Sequence, residues 1–272
     1  MSLCMRRRDG NQRLSRTVSS PSLEAELSKN PIKGCFQLMQ TAKRLSMVSV
    51  VREDSLMPKP FIEEDEGTVS LYFKAGSIQS QMRKEAPVDL LLTYTRIMTS
   101  FLKFNLLPRS IAMIGLGGGS MAKWCHRHLP HADITIVEIN PHVIALRDRF
   151  YIPEDDHKFR VLCEDGADYV ARAPQKTDVL IVDGFNLDGQ PPELCSQVFY
   201  NNCYRALTSS GLMIVNLCGD DDEANIRRIG KSFSNQISIV TSGDDDLVVF
   251  ARKGKSPGSQ RGGPLYDEIL DG

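Results

Sequence analysis

Long apolar runs are missing from the sequence, and none approaches the ~20 residues that a membrane-spanning helix needs. An excess of either charge is missing as well: 33 Lys and Arg residues stand against 34 Asp and Glu residues, which leaves a formal net charge of −1. Such a balance gives no overall attraction to nucleic acid or to an anionic membrane. We therefore expect neither a nucleic acid nor a membrane among the partners.

Cysteine pairs of the C-x-x-C kind are also missing. The seven cysteines are an odd number, and most of them lie within apolar runs: Cys4, Cys35, Cys125, Cys163, Cys195, Cys203 and Cys218. This usage is typical of reduced core cysteines in a cytosolic protein, so we expect a cytoplasmic location. His126, His128 and His131 lie near Cys125, but no set of acidic or cysteine ligands accompanies them, and we expect no metal site.

A glycine-rich turn dominates what is present. The stretch 111–140, IAMIGLGGGSMAKWCHRHLPHADITIVEIN, predicts a buried strand, a glycine turn, a helix and a second strand that ends in Glu138. The turn contributes four glycines as candidate binding residues: Gly115, Gly117, Gly118 and Gly119. Bare backbone at a helix N-terminus can approach a ligand closely. A carboxylate 23 residues after Gly115 can accept the hydroxyls of a ribose, so the pattern predicts a nucleoside site.

The pattern leaves the kind of nucleoside open. A pyrophosphate cofactor and a nucleoside-sulfonium cofactor use the same crevice, and a simple strand-to-helix turn needs glycine too. The three successive glycines leave no side chain for packing, so close approach of the backbone to a ligand is the expected explanation for them.

Alternating strands and helices continue to about residue 250. Strands are predicted at 159–163, 178–183 and 211–217, followed by a closing antiparallel pair at 237–240 and 247–250 with a turn of aspartates, 244–246, between them. This order predicts a doubly wound, mostly parallel α/β sheet of the Rossmann type. Ligands bind beyond the carboxyl ends of such strands, so Glu138, Asp165 and Asp183 are expected to converge with the glycine turn.

The whole chain is predicted to divide into four parts, of which two precede the main domain. Residues 1–34, with five Arg against one Asp in the first twenty, predict a disordered basic tail. Strands at 47–51, 68–73 and 78–82 predict a small antiparallel β domain over 35–86, with Glu63 to Glu66 in a solvated loop. Pro87 is expected to open a long helix that ends near Asn105. The main domain spans 87–252, and 253–272 is a flexible tail.

Several motifs together resemble the spermidine synthase family of polyamine aminopropyltransferases. They are the G-L-G-G-G turn, V-E-I-N followed by P-x-V-I, the E-D-G triplet, D-G-F-N after an apolar strand, and S-Q-V-F-Y-N-N-C-Y-R-A-L. The resemblance covers roughly residues 68–252. It implies a class I methyltransferase-like Rossmann domain behind a small β domain, and transfer of the aminopropyl group of decarboxylated S-adenosylmethionine to a diamine. It also implies a homodimer.

The resemblance assigns roles to individual residues. Glu138 matches the acid that holds the ribose hydroxyls, Asp165 with Gly166 matches the pair at the adenine amino group, and Gln79 matches a glutamine that touches the cofactor. Asp183 matches the first aspartate of the family's D-S-S-D motif, which helps to deprotonate the attacking amine. No metal is required for this reaction, because the leaving group departs as a neutral thioether.

Three positions depart from the family pattern. Ser120 stands where the family has an aspartate that holds the amine end of the cofactor, and Asn186 replaces the second aspartate of D-S-S-D. The Tyr-Gln pair of the family falls near Val88 and Asp89, so the aromatic residue that grips the diamine is expected to be missing. Asp89 and the acidic run 220–223 are the open substitutes for the aspartate lost at Ser120.

These departures keep two alternatives open beside the aminopropyltransferase. One is a methyltransferase that uses intact S-adenosylmethionine in the same crevice, and the other is a non-catalytic relative that binds a nucleoside. The fold constrains the cofactor better than it constrains the chemistry.

Overall fold

The protein is described from a computed structural model. The described residues are 57–104, 107–172, 176–219, 221–242 and 246–254. The chain divides into two units, Met1–Ser55 and Leu56–Gly272, and every described residue belongs to the second unit. The predicted basic tail and the strand at 47–51 lie outside the described residues, as does nearly all of the tail predicted from residue 253.

A three-stranded antiparallel sheet opens the described chain. Its strands are β1 (Phe61–Glu64), β2 (Thr68–Lys74) and β3 (Ser77–Arg83), in that spatial order. The last two strands were predicted, but β1 takes in part of the acidic cluster that was predicted to be a loop. Glu64 forms ion pairs with Lys84 and Arg149, which supply the cations that make a strand of acidic residues acceptable.

The predicted helix from Pro87 to Asn105 is much shorter in the structure. Helix α1 spans only Thr93–Met98 and continues as a 3-10 turn over Thr99–Lys103. Leu92 is extended, with φ −77° and ψ 135°. The guanidinium of Arg96 donates to two carbonyls of the preceding turn, at 2.9 Å each, and so stabilises the non-helical start of this segment. Hydrophobic spacing alone does not reveal such a bond, and the prediction was wrong here.

The central sheet has seven strands in the order β6-β5-β4-β7-β8-β10-β9. Their bounds are β4 Ser110–Ile114, β5 Asp133–Glu138, β6 Phe159–Cys163, β7 Thr177–Val182, β8 Leu207–Leu217, β9 Ile237–Thr241 and β10 Leu247–Arg252. All neighbours pair in parallel except β10, which is antiparallel to both β8 and β9. The predicted doubly wound, mostly parallel sheet and its closing antiparallel pair are confirmed.

Helices cover both faces of this sheet. They are α2 Ser120–His128, α3 Pro141–Ile144, α4 Gly166–Arg172, α5 Pro192–Cys195, α6 Gln197–Ala206 and α7 Asp222–Ser232. Asn140 caps the start of α3, since its side chain accepts a hydrogen bond from the His142 N–H at 3.0 Å. None of the helices that the structure describes combines the length and apolarity needed to cross a bilayer.

The apolar strands are explained by burial on two sides. Along β4, Ile111 and Met113 belong to one core cluster, while Ala112 and Ile114 belong to the cluster on the opposite face of the sheet. A strand that is covered on both faces needs a continuous apolar run rather than alternation. Each fully buried side chain of this kind contributes about 1.5–3 kcal/mol to the stability of the fold.

The cysteines are less uniformly buried than the sequence suggests. Cys125 and Cys203 are buried, as expected of core residues, and Cys195 is half-buried. Cys163 and Cys218 are exposed, because each lies at or just beyond the carboxyl end of a strand, where the chain leaves the core. The apolar runs that contain them therefore do not make them core residues.

Lys123 is an unusual feature of α2, because its charged side chain is buried with 3% exposure. Its Nζ donates to the carbonyl of Phe150 at 2.7 Å and approaches the Sδ of Met82 at 3.0 Å. The lysine thus ties α2 to the three-stranded sheet and to the 3-10 turn Asp148–Phe150. Desolvation lowers the pKa of Lys123 to about 8.

This lowered pKa predicts a pH effect on stability. Between about pH 8 and pH 10 the unfolded chain still holds the Lys123 proton while the folded chain loses it, so the unfolding free energy rises with pH by about 2 kcal/mol. Below pH 8 both states are protonated, and the full cost of burying the charge is present. Urea unfolding of wild type and Lys123→Met between pH 7.5 and 10 measures this difference. If the unfolding free energies of the two proteins change with pH in parallel, the predicted effect of Lys123 is contradicted.

Candidate active site

A cavity of about 840 Å³ opens at the carboxyl ends of β4, β5 and β7, beneath β3 and α1. It brings together seven of the nine predicted site residues: Gln79, Gly115, Gly117, Glu138, Asp165, Gly166 and Asp183. These residues come from five separate segments of the chain, four of which meet because parallel strands present their carboxyl ends at one edge of the sheet. Gly118 and Gly119 are not among the described residues that line it.

Gly115 is required by the backbone of a neighbouring strand. Its N–H donates to the carbonyl of Val137 at 2.9 Å, and its φ is +96°. A Cβ at this position would lie 2.1 Å from the carbonyl oxygen of Asp183. Gly117 also has a positive φ, +51°, but a Cβ there would meet nothing closer than 3.7 Å. The turn needs glycine at both positions for its left-handed backbone and for the close passage of β7.

Gly118 and Gly119 have packing roles. A Cβ on Gly118 would lie 2.6 Å from the Ser80 Oγ and 2.8 Å from the Phe150 ring. A Cβ on Gly119, whose φ is +67°, would lie 2.5 Å from the Ile152 side chain. These two glycines let the turn pack closely against protein, and their predicted contact with a ligand stays a prediction.

Glu138 holds the glycine turn from below. The N–H of Leu116 donates to its Oε2 and the N–H of Asn140 to its Oε1, each at 2.9 Å. Burial raises the pKa of the Glu138 carboxyl, and the backbone N–H groups oppose that shift. A carboxylate has about four acceptor positions, so each oxygen can accept a further bond from a ligand hydroxyl.

Asp165 and Gly166 form the start of α4. The Oδ1 of Asp165 accepts from the N–H groups of Ala167 and Asp168, at 2.6 and 3.3 Å. Asp165 therefore caps the helix with one oxygen and leaves the other for a ligand. A Cβ on Gly166 would lie 2.4 Å from the Ile114 side chain, which explains glycine at this position.

Gln79 lies opposite these residues on β3. It is half-buried, and its Nε2 lies 3.4 Å from the Ser77 Oγ. The amide thus lines the cavity and makes only this long hydrogen bond among the described residues. Gln79 is the one predicted site residue that comes from the small three-stranded sheet.

Asp183 is held between two side chains that sequence reasoning missed. The Tyr94 hydroxyl donates to its Oδ2 at 3.2 Å, and the Asn216 Nδ2 donates to its Oδ1 at 3.0 Å. Burial raises the pKa of Asp183, the two hydrogen bonds lower it, and the charge of Asp246 raises it further. The net effect is a carboxylate that binds a proton more tightly than an exposed aspartate does.

The missed residues left only a faint signal in the sequence. Asn216 is a polar residue inside the apolar run of β8, and it is 3% exposed. Its Oδ1 is buried and accepts no hydrogen bond from the described residues. Tyr94 lies on α1 and places an aromatic hydroxyl in the cavity, near Val88 and Asp89 in the sequence but not at the positions expected for the aromatic residue of the family.

The cavity is strongly acidic. Its lining includes five carboxylates: Glu138, Asp165, Asp183, Glu193 and Asp246. Within the described part of the chain, no Lys, Arg or His lines it. Such a site attracts cations and opposes phosphates, because like charges in a sheltered cleft repel strongly. A pyrophosphate cofactor, left open by the sequence pattern, finds no positive side chain here.

The histidines near Cys125 have packing roles. His128 stacks on Trp124, with ring centroids 4.6 Å apart, and His126 meets the Phe159 ring edge-on at 5.1 Å. The described residues contain no group of three or more His, Cys, Asp or Glu side chains arranged to bind a metal ion.

Comparison with known proteins identifies the family. The family model described as the spermine/spermidine synthase domain matches residues 91–222. A polyamine aminopropyltransferase of Chromobacterium violaceum is 37% identical over 200 residues, which cover 71% of this chain and 77% of that protein. The chain belongs to the spermidine synthase family. Another relative, the polyamine aminopropyltransferase of Neisseria meningitidis, is 38% identical over 166 residues, and the match spans 63% of its length.

Solved structures show the same fold at lower identity. A probable spermidine synthase from Corynebacterium glutamicum superposes with a TM-score of 0.65 and 16% identity, over 75% of this chain and 80% of that one. A spermidine synthase in complex with the transition-state analogue AdoDATO gives a TM-score of 0.55 at 20% identity, over 74% and 76%. Human methyltransferase-like protein 13, in complex with SAH, gives 0.56 at 22%, over 65% and 89%. The class I methyltransferase-like fold expected of a spermidine synthase relative is confirmed.

The departures from the spermidine synthase pattern can now be located. Ser120 lines the cavity, and its Oγ lies 3.4 Å from the Ser80 Oγ. Asp89 forms an exposed ion pair with Arg83 at 2.5 Å and is not among the lining residues. Among 221–223, the described part of the acidic run, none lines the cavity either. Asp89 and the described residues 221–223 therefore supply no carboxylate to the cavity, whereas Glu193 and Asp246 do.

Proposed function

We propose that this member of the spermidine synthase family transfers the aminopropyl group of decarboxylated S-adenosylmethionine to a diamine or polyamine. One observation carries the proposal: the cavity is lined by five carboxylates and by no described basic side chain. Both reactants of this transfer are cations, a sulfonium that also bears an ammonium group and a polyamine. An acidic cleft raises the local concentration of such molecules.

The chain offers a partner for each part of the donor molecule. Glu138 accepts the two ribose hydroxyls at its remaining lone pairs, and Asp165 accepts from the adenine amino group with the oxygen that does not cap α4. Gln79 contacts the donor from the small sheet. When bound, decarboxylated S-adenosylmethionine supplies a carbon activated by a positively charged sulfur.

Asp183 prepares the attacking amine. A primary amine has a pKa near ~10, so it is protonated at neutral pH and has no lone pair with which to attack. Asp183 binds the ammonium group and then takes its proton, a role favoured by the raised pKa of its carboxyl. Tyr94 and Asn216 hold the carboxylate in one orientation.

The proposed transfer predicts a defined product. The protein mixed with decarboxylated S-adenosylmethionine and putrescine should release methylthioadenosine together with an aminopropylated amine, both measurable by mass spectrometry. A reaction without protein and one with intact S-adenosylmethionine serve as controls. If neither product forms with a broad panel of amines while a thioether still binds, the protein is a non-catalytic relative.

A methyltransferase remains the second candidate, on the strength of Ser120. The serine removes the negative charge that opposes the carboxylate of intact S-adenosylmethionine. The same carboxylate, however, finds no described Lys, Arg or His in the cavity lining. Aminopropyl transfer is therefore the better match, and S-adenosylhomocysteine as the only nucleoside product would reverse this order.

We also propose that the protein acts as a cytoplasmic homodimer. Both parts rest on sequence: the family resemblance implies the dimer, and the odd number of cysteines, most of them within apolar runs and none in a C-x-x-C pair, is typical of a reducing compartment. Light scattering coupled to size-exclusion chromatography measures the oligomeric state directly.

A further inference from the structure

Asp246 is a carboxylate of the cavity that the sequence pattern assigned to a turn. The residue immediately precedes β10, and its carbonyl accepts from the Ser242 N–H at 2.9 Å. This bond closes the connection between β9 and β10 and fixes the position of the Asp246 backbone. Its side chain lines the same cavity as Asp183.

The second carboxylate of the family's D-S-S-D motif is missing from the usual place. Asn186 stands there, and its Oδ1 accepts from the Asp188 N–H at 2.8 Å. The backbone of Asn186 also pairs with that of Gly189, at 2.8 and 3.4 Å. Asn186 therefore shapes a turn and supplies no negative charge to the cavity. Asp246 brings a negative charge to the cavity from the residue before β10.

Two observations favour a cation beside Asp183. Asp183, Asn216 and Asp246 line the same cavity, and the charge of Asp246 contributes to the raised pKa of both Asp183 and Tyr94. The Oδ1 of Asn216 is buried and has no hydrogen-bond partner among the described residues. Because the Asn216 Nδ2 donates to Asp183, this oxygen is an acceptor without a donor beside a carboxylate. An ammonium group, which has three N–H donors and a positive charge, satisfies both.

We propose that Asp246 is the residue that selects acceptors with a second ammonium group. Asp183 and the Asn216 Oδ1 receive the attacking nitrogen, and Asp246 pairs with the second nitrogen of the same molecule. This assignment rests on the proposed aminopropyl transfer and specifies which side chain recognises the diamine. A monoamine of equal length can contact Asp183 and the Asn216 Oδ1 but has no second ammonium group to pair with Asp246.

The test compares 1,4-diaminobutane with butylamine on the variant Asp246→Asn. Loss of a charge-assisted contact should raise the KM for the diamine by about 10-fold to 100-fold. The KM for butylamine should stay within about twofold, because butylamine has no second ammonium group to pair with Asp246. Circular dichroism and a thermal melt check that the variant is folded.

Asp188→Asn is the matched control. Asp188 is an exposed acid of the 186–189 turn and is not among the described residues that line the cavity. The substitution Asp188→Asn removes the same charge as Asp246→Asn. An equal loss of diamine affinity in both variants would therefore mean a general electrostatic effect. An equal effect of Asp246→Asn on the diamine and the monoamine, or no effect on either, overturns the proposal.

A measurement of diamine binding tests the role of Asp246 independently of the proposed aminopropyl transfer. Titration calorimetry of 1,4-diaminobutane into protein saturated with methylthioadenosine needs no turnover. If wild type turns over no amine, the aminopropyl transfer is wrong, and the calorimetric comparison of wild type with Asp246→Asn still decides the role of Asp246. Weaker diamine binding in the variant, with butylamine binding unchanged, supports it, and equal binding of the diamine to both proteins contradicts it.

Discussion

Replacing Asp183 by asparagine should lower the rate of amine alkylation by about 10²–10⁴-fold and leave the binding of methylthioadenosine unchanged. The amide has the shape of the carboxylate but can neither hold an ammonium group by charge nor accept its proton. The structure also explains why the fold should tolerate the change. The introduced amide can donate to the Tyr94 hydroxyl, which accepts as well as donates, and can still accept from Asn216.

Two measurements separate chemistry from binding in this variant. Product formation in a single turnover with saturating donor gives the rate, and a thermal-shift titration with methylthioadenosine gives the binding. Asp188→Asn, which removes an exposed acid outside the cavity lining, is the matched control and should behave as wild type. If the Asp183 variant turns over at the normal rate with the right amine, Asp183 is only a loop residue that accepts two hydrogen bonds.

The sheet could be predicted because its cause is local to each strand. The central strands of the doubly wound sheet are buried on both faces and therefore contain continuous apolar runs, as at Ser110–Ile114. The start of α3 follows from Asn140 and Pro141, whose capping chemistry acts within four residues. The positions of Glu138, Asp165 and Asp183 at strand ends then follow from topology alone.

The segments that sequence reasoning missed depend on distant partners. Strand β1 is acidic, and Glu64 finds its cations at Lys84 and Arg149, the latter 85 positions away in the chain. The long helix predicted from Pro87 begins only at Thr93, because Arg96 stabilises a non-helical turn before it. No periodicity in the sequence encodes either contact.

In the candidate site, too, the residues set by local sequence were predicted and those set by distant contacts were not. The residues that line the cavity from the ends of β4, β5 and β7 were predicted, whereas Tyr94, Asn216 and Asp246 come from elements whose packing is set by the whole fold. Sequence reasoning also missed the packing of the glycine turn, because a Cβ on Gly118 or Gly119 would meet protein side chains. A run of glycines can serve close packing as well as ligand binding.

The variant Glu138→Ala should lose the response to nucleoside thioethers and should also be less stable than wild type. For wild type, methylthioadenosine at a hundred times its dissociation constant should add ~2.7 kcal/mol to the unfolding free energy. The variant lacks the acceptor for the ribose hydroxyls, so this gain should disappear. On the sequence pattern alone the fold would be unaffected, but the structure shows that Glu138 also accepts from the N–H groups of Leu116 and Asn140.

The expected loss of stability in Glu138→Ala follows from the N–H groups of Leu116 and Asn140, which lose their acceptor. Leaving a buried N–H without an acceptor costs about 1–3 kcal/mol. Water in the cavity and the relief of burying the Glu138 carboxyl, whose pKa is raised, offset part of this cost. For a protein of this size each kcal/mol lowers Tm by about 2–4 °C. Asp133→Ala, at the exposed opposite end of β5, is the control and should change neither the Tm nor the ligand response. A Glu138 variant that still gains stability from methylthioadenosine contradicts the ribose assignment, since no other carboxylate accepts from the glycine turn among the described hydrogen bonds.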